Sequence, residues 1–240
     1  MKVIRWTALD YKCFMEEMTK QQDEAYRLFH KKLLCSSLPV IGIRTPILRQ
    51  KAKELAKQAG MDFFETCGKD TYEERLLYGL VAAALPMEFQ TFSGYCDTYA
   101  YEFVENWAHC DVFCGSLKKI AAQNQEALFE HTKGYCKAEN PWVVRVGLII
   151  LLNHYLKEPY LQEVLQLTDS VASDFYYVQM AQAWLLATVW VKNAEMVRQY
   201  LGESQLSYVV KAKFVQKACE SFRVPPADKA WLREWKKTLT

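Results

Sequence analysis

The sequence predicts an all-α protein built as a curved α-solenoid of HEAT-like antiparallel helix pairs, and three observations lead there. Apolar residues recur at helical spacing along nearly the whole chain, while no stretch shows the period-two alternation of a half-buried strand. Only 9 Gly and 7 Pro interrupt the 240 residues, so the connections between helices are short. About a dozen helices of roughly ten to eighteen residues follow, and in pairs they give repeats of about 40 residues, the size of HEAT units. No linker or low-complexity stretch separates residues 1–240, so one helical domain is expected.

Taken in order, Leu9 to Leu34 carries Phe14, Met18, Ala25, Leu28, Phe29 and Leu33 at helical spacing, with a break near Gln21-Gln22, and Ser36-Ser37-Leu38-Pro39 ends it. Thr45 reads as an N-cap with Pro46 at the first helical position, opening a helix to about Gln58, before Gly60. Thr71-Tyr72-Glu73-Glu74 is a capping-box pattern whose helix runs to Leu85 and stops at Pro86. Helices follow over Glu88–Glu102, Trp107–Gln123 and Gln125–Tyr135. Asn140-Pro141 repeats the cap-then-proline logic for Trp142–Leu156, and Pro159–Val171, Phe175–Val191, Ala194–Leu201, Leu206–Phe222 and Ala227–Thr238 complete the set.

With 51% hydrophobic and 24% charged residues, the chain has the balance of a protein that buries a sizeable core. A net charge of +2 gives no bulk attraction for nucleic acid, so any such affinity has to come from a local basic face. None of the 8 Cys stands in a CxxC pair, and Met1-Lys2-Val3-Ile4-Arg5-Trp6 has no apolar signal core, which points to a reduced cytoplasmic protein with free thiols. The longest apolar run, Val146 to Leu152, is too short to span a bilayer, so no membrane role is expected.

Three stretches carry chemistry. In Glu105-Asn106-Trp107-Ala108-His109-Cys110-Asp111, Trp107 and Asp111 are four apart and project from one helix face. A large π face beside a carboxylate suits a cationic ligand; the bland alternative is a core indole and a solvated or capping acid. In Asn140-Pro141-Trp142-Val143-Val144-Arg145, Arg145 opens an otherwise apolar helix and needs a partner or an exit to solvent. It fits a salt bridge to Asp111 or Asp174 as well as a phosphate clamp. The third stretch, Asp174 to Trp184, is rich in aromatics, and a Trp in such a helix is usually core.

The order Trp-x-x-x-Asp, then Trp-x-x-Arg at a helix start, then Phe/Tyr-Val-Gln-x-Ala-x-x-Trp resembles the HEAT-repeat alkylpurine DNA glycosylases of the DNA alkylation repair family. Gly42-Ile43-Arg44-Thr45-Pro46 with the following Arg49 resembles that family's amino-terminal turn, and Lys211-Ala212-Lys213 to Arg223 its basic penultimate helix, so the resemblance covers nearly the whole chain. It implies that Trp107 and Trp184 wall the modified nucleotide, that Asp111 is catalytic beside the sugar whose bond breaks, and that Arg145 lies near backbone phosphates. Arg44, Arg49, Lys211 and Lys213, with Lys51, Lys53, Lys217 and Arg223, are then the candidates for a duplex path. The implied reaction is release of cationic N3- or N7-alkylpurines from double-stranded DNA by a monomer, with the lesion remaining in the duplex.

Two departures leave an alternative open. Met180 stands where the family's glycosylases usually carry Lys. Ahead of the Gly42 turn, Lys31 to Val40 intervenes and Asp23–His30 reads as a continuation of the first helix, which resembles branches that keep the acid and the aromatics but lack the usual second helix. The alternatives are a non-catalytic binder of damaged or branched DNA and, from another class, a protein-binding helical scaffold. His109, Cys110 and Cys114 lack the further ligands of a zinc site, and no P-loop, dinucleotide fingerprint or nucleophile elbow is present, so neither metal nor cofactor is expected. Trp231 and Trp235, one turn apart, are expected to pack the terminal helix.

Overall fold

Side-chain N-caps set the starts of seven helices in the computed structural model, which describes residues 5–239. The stretch Met1-Lys2-Val3-Ile4, on which the absence of a signal core was partly read, lies outside the described residues. Fifteen α-helices and no strand occur among the described residues, as the all-α expectation requires. The chain divides into two compact units, Met1–Asn124 and Gln125–Thr240.

The first unit holds α1 (Ala8–Thr19), α2 (Glu24–Leu34), α3 (Thr45–Gln58), α4 (Asp62–Thr66), α5 (Tyr72–Ala84), α6 (Phe89–Thr98), α7 (Trp107–Ser116) and α8 (Lys118–Gln123). Thr7 and Asp10 close a capping box on α1, as Thr71 and Glu74 do on α5. Helix α5 packs against both α3 and α7, around a core that includes Leu48, Leu55, Phe63, Leu76, Leu77 and Val81.

The second unit holds α9 (Gln125–Cys136), α10 (Pro141–His154), α11 (Leu161–Ser170), α12 (Tyr176–Lys192), α13 (Ala194–Glu203), α14 (Tyr208–Glu220) and α15 (Pro226–Lys237). Helix α10 is buried at every position from Val143 to Leu151, the signature of a helix that is apolar all round. Gly147 admits this: a Cβ there would stand 3.0 Å from Cys136 Sγ on α9. Helix α12 packs on α10 and α14, and α15 packs on α14, where Trp231 and Trp235 stack on each other and Trp231 on Trp190. In each unit alternate helices lie side by side, the neighbour relation that stacked helix pairs require.

Several boundaries differ from expectation. Asp23 caps a new helix by accepting from Tyr26 N at 2.9 Å, so Asp23–His30 does not continue α1; it opens α2, which runs through Leu34 and ends at Cys35 in the left-handed region. Helix α3 begins one residue early, with Arg44 rather than Thr45 at the N-cap. The helix expected to reach Gln123 breaks at Leu117, whose N–H turns to Cys114 O at 3.2 Å instead of to the carbonyl four residues back. The short α4 was not anticipated, and α6 ends in a π turn, Tyr99–Phe103.

Candidate nucleic-acid interface

Asn106 fixes the start of α7. Its Oδ1 accepts from His109 N at 2.9 Å, so its amide Nδ2 faces His109 Nδ1 at 3.1 Å. His109 Nδ1 must then accept, and Nε2 carries the proton that it donates to Tyr72 O at 3.0 Å. Burial favours this neutral form and lowers the His109 pKa to about 4. Both ring nitrogens are engaged, and no group of three or more His, Cys, Asp or Glu among the described residues could hold a metal ion.

On this fixed base, Trp107 is the first residue of α7 and is half-buried against the core of the first unit. Its Nε1 donates to Leu33 O at 3.0 Å, one of the carbonyls that the end of α2 leaves without a helical partner. The indole therefore ties α2 to α7. Asp111 lies one turn further on and is also half-buried, with Cys110 and Cys114 fully buried on the same helix. Burial pushes the Cys114 thiol well up, so it stays protonated and unreactive.

The turn before α3 is wrapped around an acid. Glu73 is fully buried and accepts from Ile41 N, Gly42 N and Ile43 N at 2.9, 2.7 and 3.2 Å. Gly42 has φ +99°, and a Cβ there would meet Arg27 Cβ at 2.7 Å and Asp23 O at 2.9 Å, so only glycine lets α2 approach this closely. Arg44, beside it, makes a forked pair with Asp23 at 2.7 and 3.0 Å and lies over the Tyr26 ring. Arg49 reaches the end of α7, donating to Val112 O and Ser116 Oγ. With Lys53, Lys57 and Lys119 it rims a cavity of about 570 Å³ floored by Leu80 and Ala84.

In the second unit, Arg145 is only 4% exposed; its Nη1 donates to Tyr177 O at 2.7 Å and its guanidinium lies 5.9 Å from the Tyr177 ring centroid. Trp184 is 38% exposed, which sets it apart from Trp190, a core residue two turns on. It borders a small cavity with Lys217 and Arg223. Lys213 Nζ sits 4.6 Å over the Tyr176 ring, and Lys211 Nζ donates to Ser204 O at 2.9 Å.

Of the residues singled out from sequence, Trp107 and Asp111 lie one turn apart on α7, Arg49 reaches the end of α7 from α3 while Arg44 at the α3 N-cap is paired with Asp23, and Trp184 and Lys213 lie on adjacent helices of the second unit. Sequence reasoning missed Glu73, hidden beside the glutamate that serves the capping box. The break near Gln21-Gln22 is borne out, but reading Asp23–His30 as a continuation of the first helix hid α2 as a separate element, with Leu28, Phe29 and Leu33 exposed next to the Trp107 anchor. The Asp23 cap was the available signal.

The all-helical fold presents a half-buried indole with a carboxylate one turn on in the first unit, and a partly exposed indole beside Lys217 and Arg223 in the second. The model of the DNA alkylation repair enzyme family matches residues 14–222, and the chain belongs to that family. Comparison with curated proteins gives no match. Among the described residues no helix is long and apolar enough to cross a membrane.

Proposed function

We propose that the protein binds double-stranded DNA and hydrolyses the N-glycosidic bond of N3- or N7-alkylated purines. The observation that carries this reading is Asp111, a half-exposed carboxylate one helical turn beyond an immobilised indole, in a chain of the DNA alkylation repair family. An alkylated purine of this kind is a cation and leaves without a general acid. As the C1′–N9 bond breaks, its electron pair neutralises the base and positive charge develops on the sugar. Asp111 stabilises that charge and orients the water whose oxygen bonds to C1′ and whose proton is lost, leaving an abasic site. Trp107 and Trp184 offer ring faces to the cationic base, each worth about 0.5–2 kcal/mol. Lys213 meets phosphates, as do Arg44 and Lys211 alongside their bonds to Asp23 and Ser204 O, while the more buried Arg49 and Arg145 offer only an edge. The test is release of free base from duplex carrying N7-methylguanine or N3-methyladenine.

A second reading, binding of damaged or branched DNA without turnover, is favoured by Met180, which puts a half-exposed thioether between Tyr176 and Trp184 where a cation would grip phosphate. It predicts damage-dependent binding with no free base. The separate α2 favours the first reading, because it supplies apolar surface beside Trp107. A protein-binding scaffold predicts no phosphate-driven, salt-sensitive binding to duplex.

A further inference from the structure

Phe222 is 93% exposed, far more than any other large apolar side chain described. It does not hang on a loose tip. Ser221 N donates to Lys217 O at 3.2 Å, Ser221 Oγ accepts from Arg223 N at 3.3 Å, Val224 is buried, and Pro225-Pro226 follow at once. A rigid turn thus holds an aromatic ring in solvent, where it adds nothing to the core.

Its surroundings extend the pattern. Ser221 and Arg223, on either side of it, line a cavity of about 240 Å³ with Trp184, Thr188, Lys217 and Glu220. On α12, Tyr176, Met180 and Trp184 follow at intervals of four and are all at least partly exposed, forming an apolar ridge. On α14, the helix packed most closely against it, Lys213 and Lys217 are again four apart, the first over the Tyr176 ring and the second beside Trp184. One acid interrupts the series, Glu220, which accepts from Gln216 Nε2. From Tyr176 to Phe222, π faces alternate with cations.

We propose that the α12 and α14 faces, with Phe222 as an exposed platform at one end, form a stacking site for an unpaired strand of DNA. Bases unstacked from a duplex have π faces of any sequence to offer, and the lysines and Arg223 meet the phosphates between them. A fully paired duplex keeps its bases stacked internally and makes no use of Phe222. The site therefore deepens the reading above: the protein engages DNA where pairing is already disturbed. It rests on the DNA-binding part of that reading and on nothing in the base-release step.

The test is fluorescence anisotropy of a labelled oligothymidylate and of an unmodified duplex of equal length, with wild-type protein and with Phe222→Ala and Phe222→Trp. Phe222 makes almost no contact in the fold, so both variants keep the wild-type circular dichroism. The wild type binds the single strand, Phe222→Ala weakens that binding by at least about fivefold while leaving duplex affinity within about twofold, and Phe222→Trp retains it. A single strand left unbound by the wild type, or bound equally by Phe222→Ala, overturns the proposal. Duplex binding without single-strand binding sinks this inference alone. Single-strand binding without duplex binding sinks the duplex-repair reading alone.

Discussion

His109 ties the rigidity of the site to one protonation state. It must stay neutral to accept from Asn106 at Nδ1 and donate to Tyr72 O from Nε2, and it stacks on the Tyr72 ring. An unfolded chain protonates this imidazole near 6.5, the folded one only near about 4. Its contribution is therefore intact above pH 6.5 and is lost progressively as pH falls towards 4, amounting to about 3 kcal/mol by the lower end. His30, also held below its ordinary value by burial, acts in the same sense; Glu73, whose carboxyl burial raises, acts in the opposite one. Urea unfolding at pH 7 and pH 5 should show the loss, and His109→Gln should make the pH dependence shallower. At Trp107, replacement by Phe removes the bond to Leu33 O and keeps most of the packing, so we expect a cost of about 1 kcal/mol together with faster amide exchange in α2.

The element whose placement depends most on others is α2. Gly42 lets it approach the turn, Glu73 holds that turn by three amide hydrogen bonds, and Trp107 ties its far end. Glu73→Ala leaves three buried or half-buried N–H groups without their acceptor and is expected to cost about 3 kcal/mol, read as a shift in the denaturant midpoint at unchanged slope. Elements whose ends are written in local chemistry were legible in the sequence: Thr71 with Glu74, and Asn140 with Pro141, start α5 and α10 where expected. The approach of Arg49 to Val112 O at the end of α7 was not, because it comes from 63 residues away. For the same reason Glu73 and Glu74 were indistinguishable: one caps its own helix and the other binds a turn about 30 residues earlier, which spacing alone does not reveal.

At the scale of the whole molecule, a net charge of +2 means that DNA affinity has to come from a few placed cations. Duplex binding should weaken steeply with salt, and Lys213→Ala should lower the magnitude of the log K against log salt slope by about 1. The pairing of the acid with Trp107 was legible because both lie on one helix; the burial of Arg145 and the exposure of Phe222 were not, since neither follows from periodicity. The central claim is that Asp111 serves bond cleavage rather than grip. It is tested most directly by single-turnover release of N7-methylguanine or N3-methyladenine from duplex DNA by the wild type and Asp111→Asn, with binding measured in parallel. The account predicts free base from the wild type and a loss of about 100-fold or more in the variant, with duplex affinity nearly unchanged. Base release by Asp111→Asn at the wild-type rate, or none from the wild type, contradicts it.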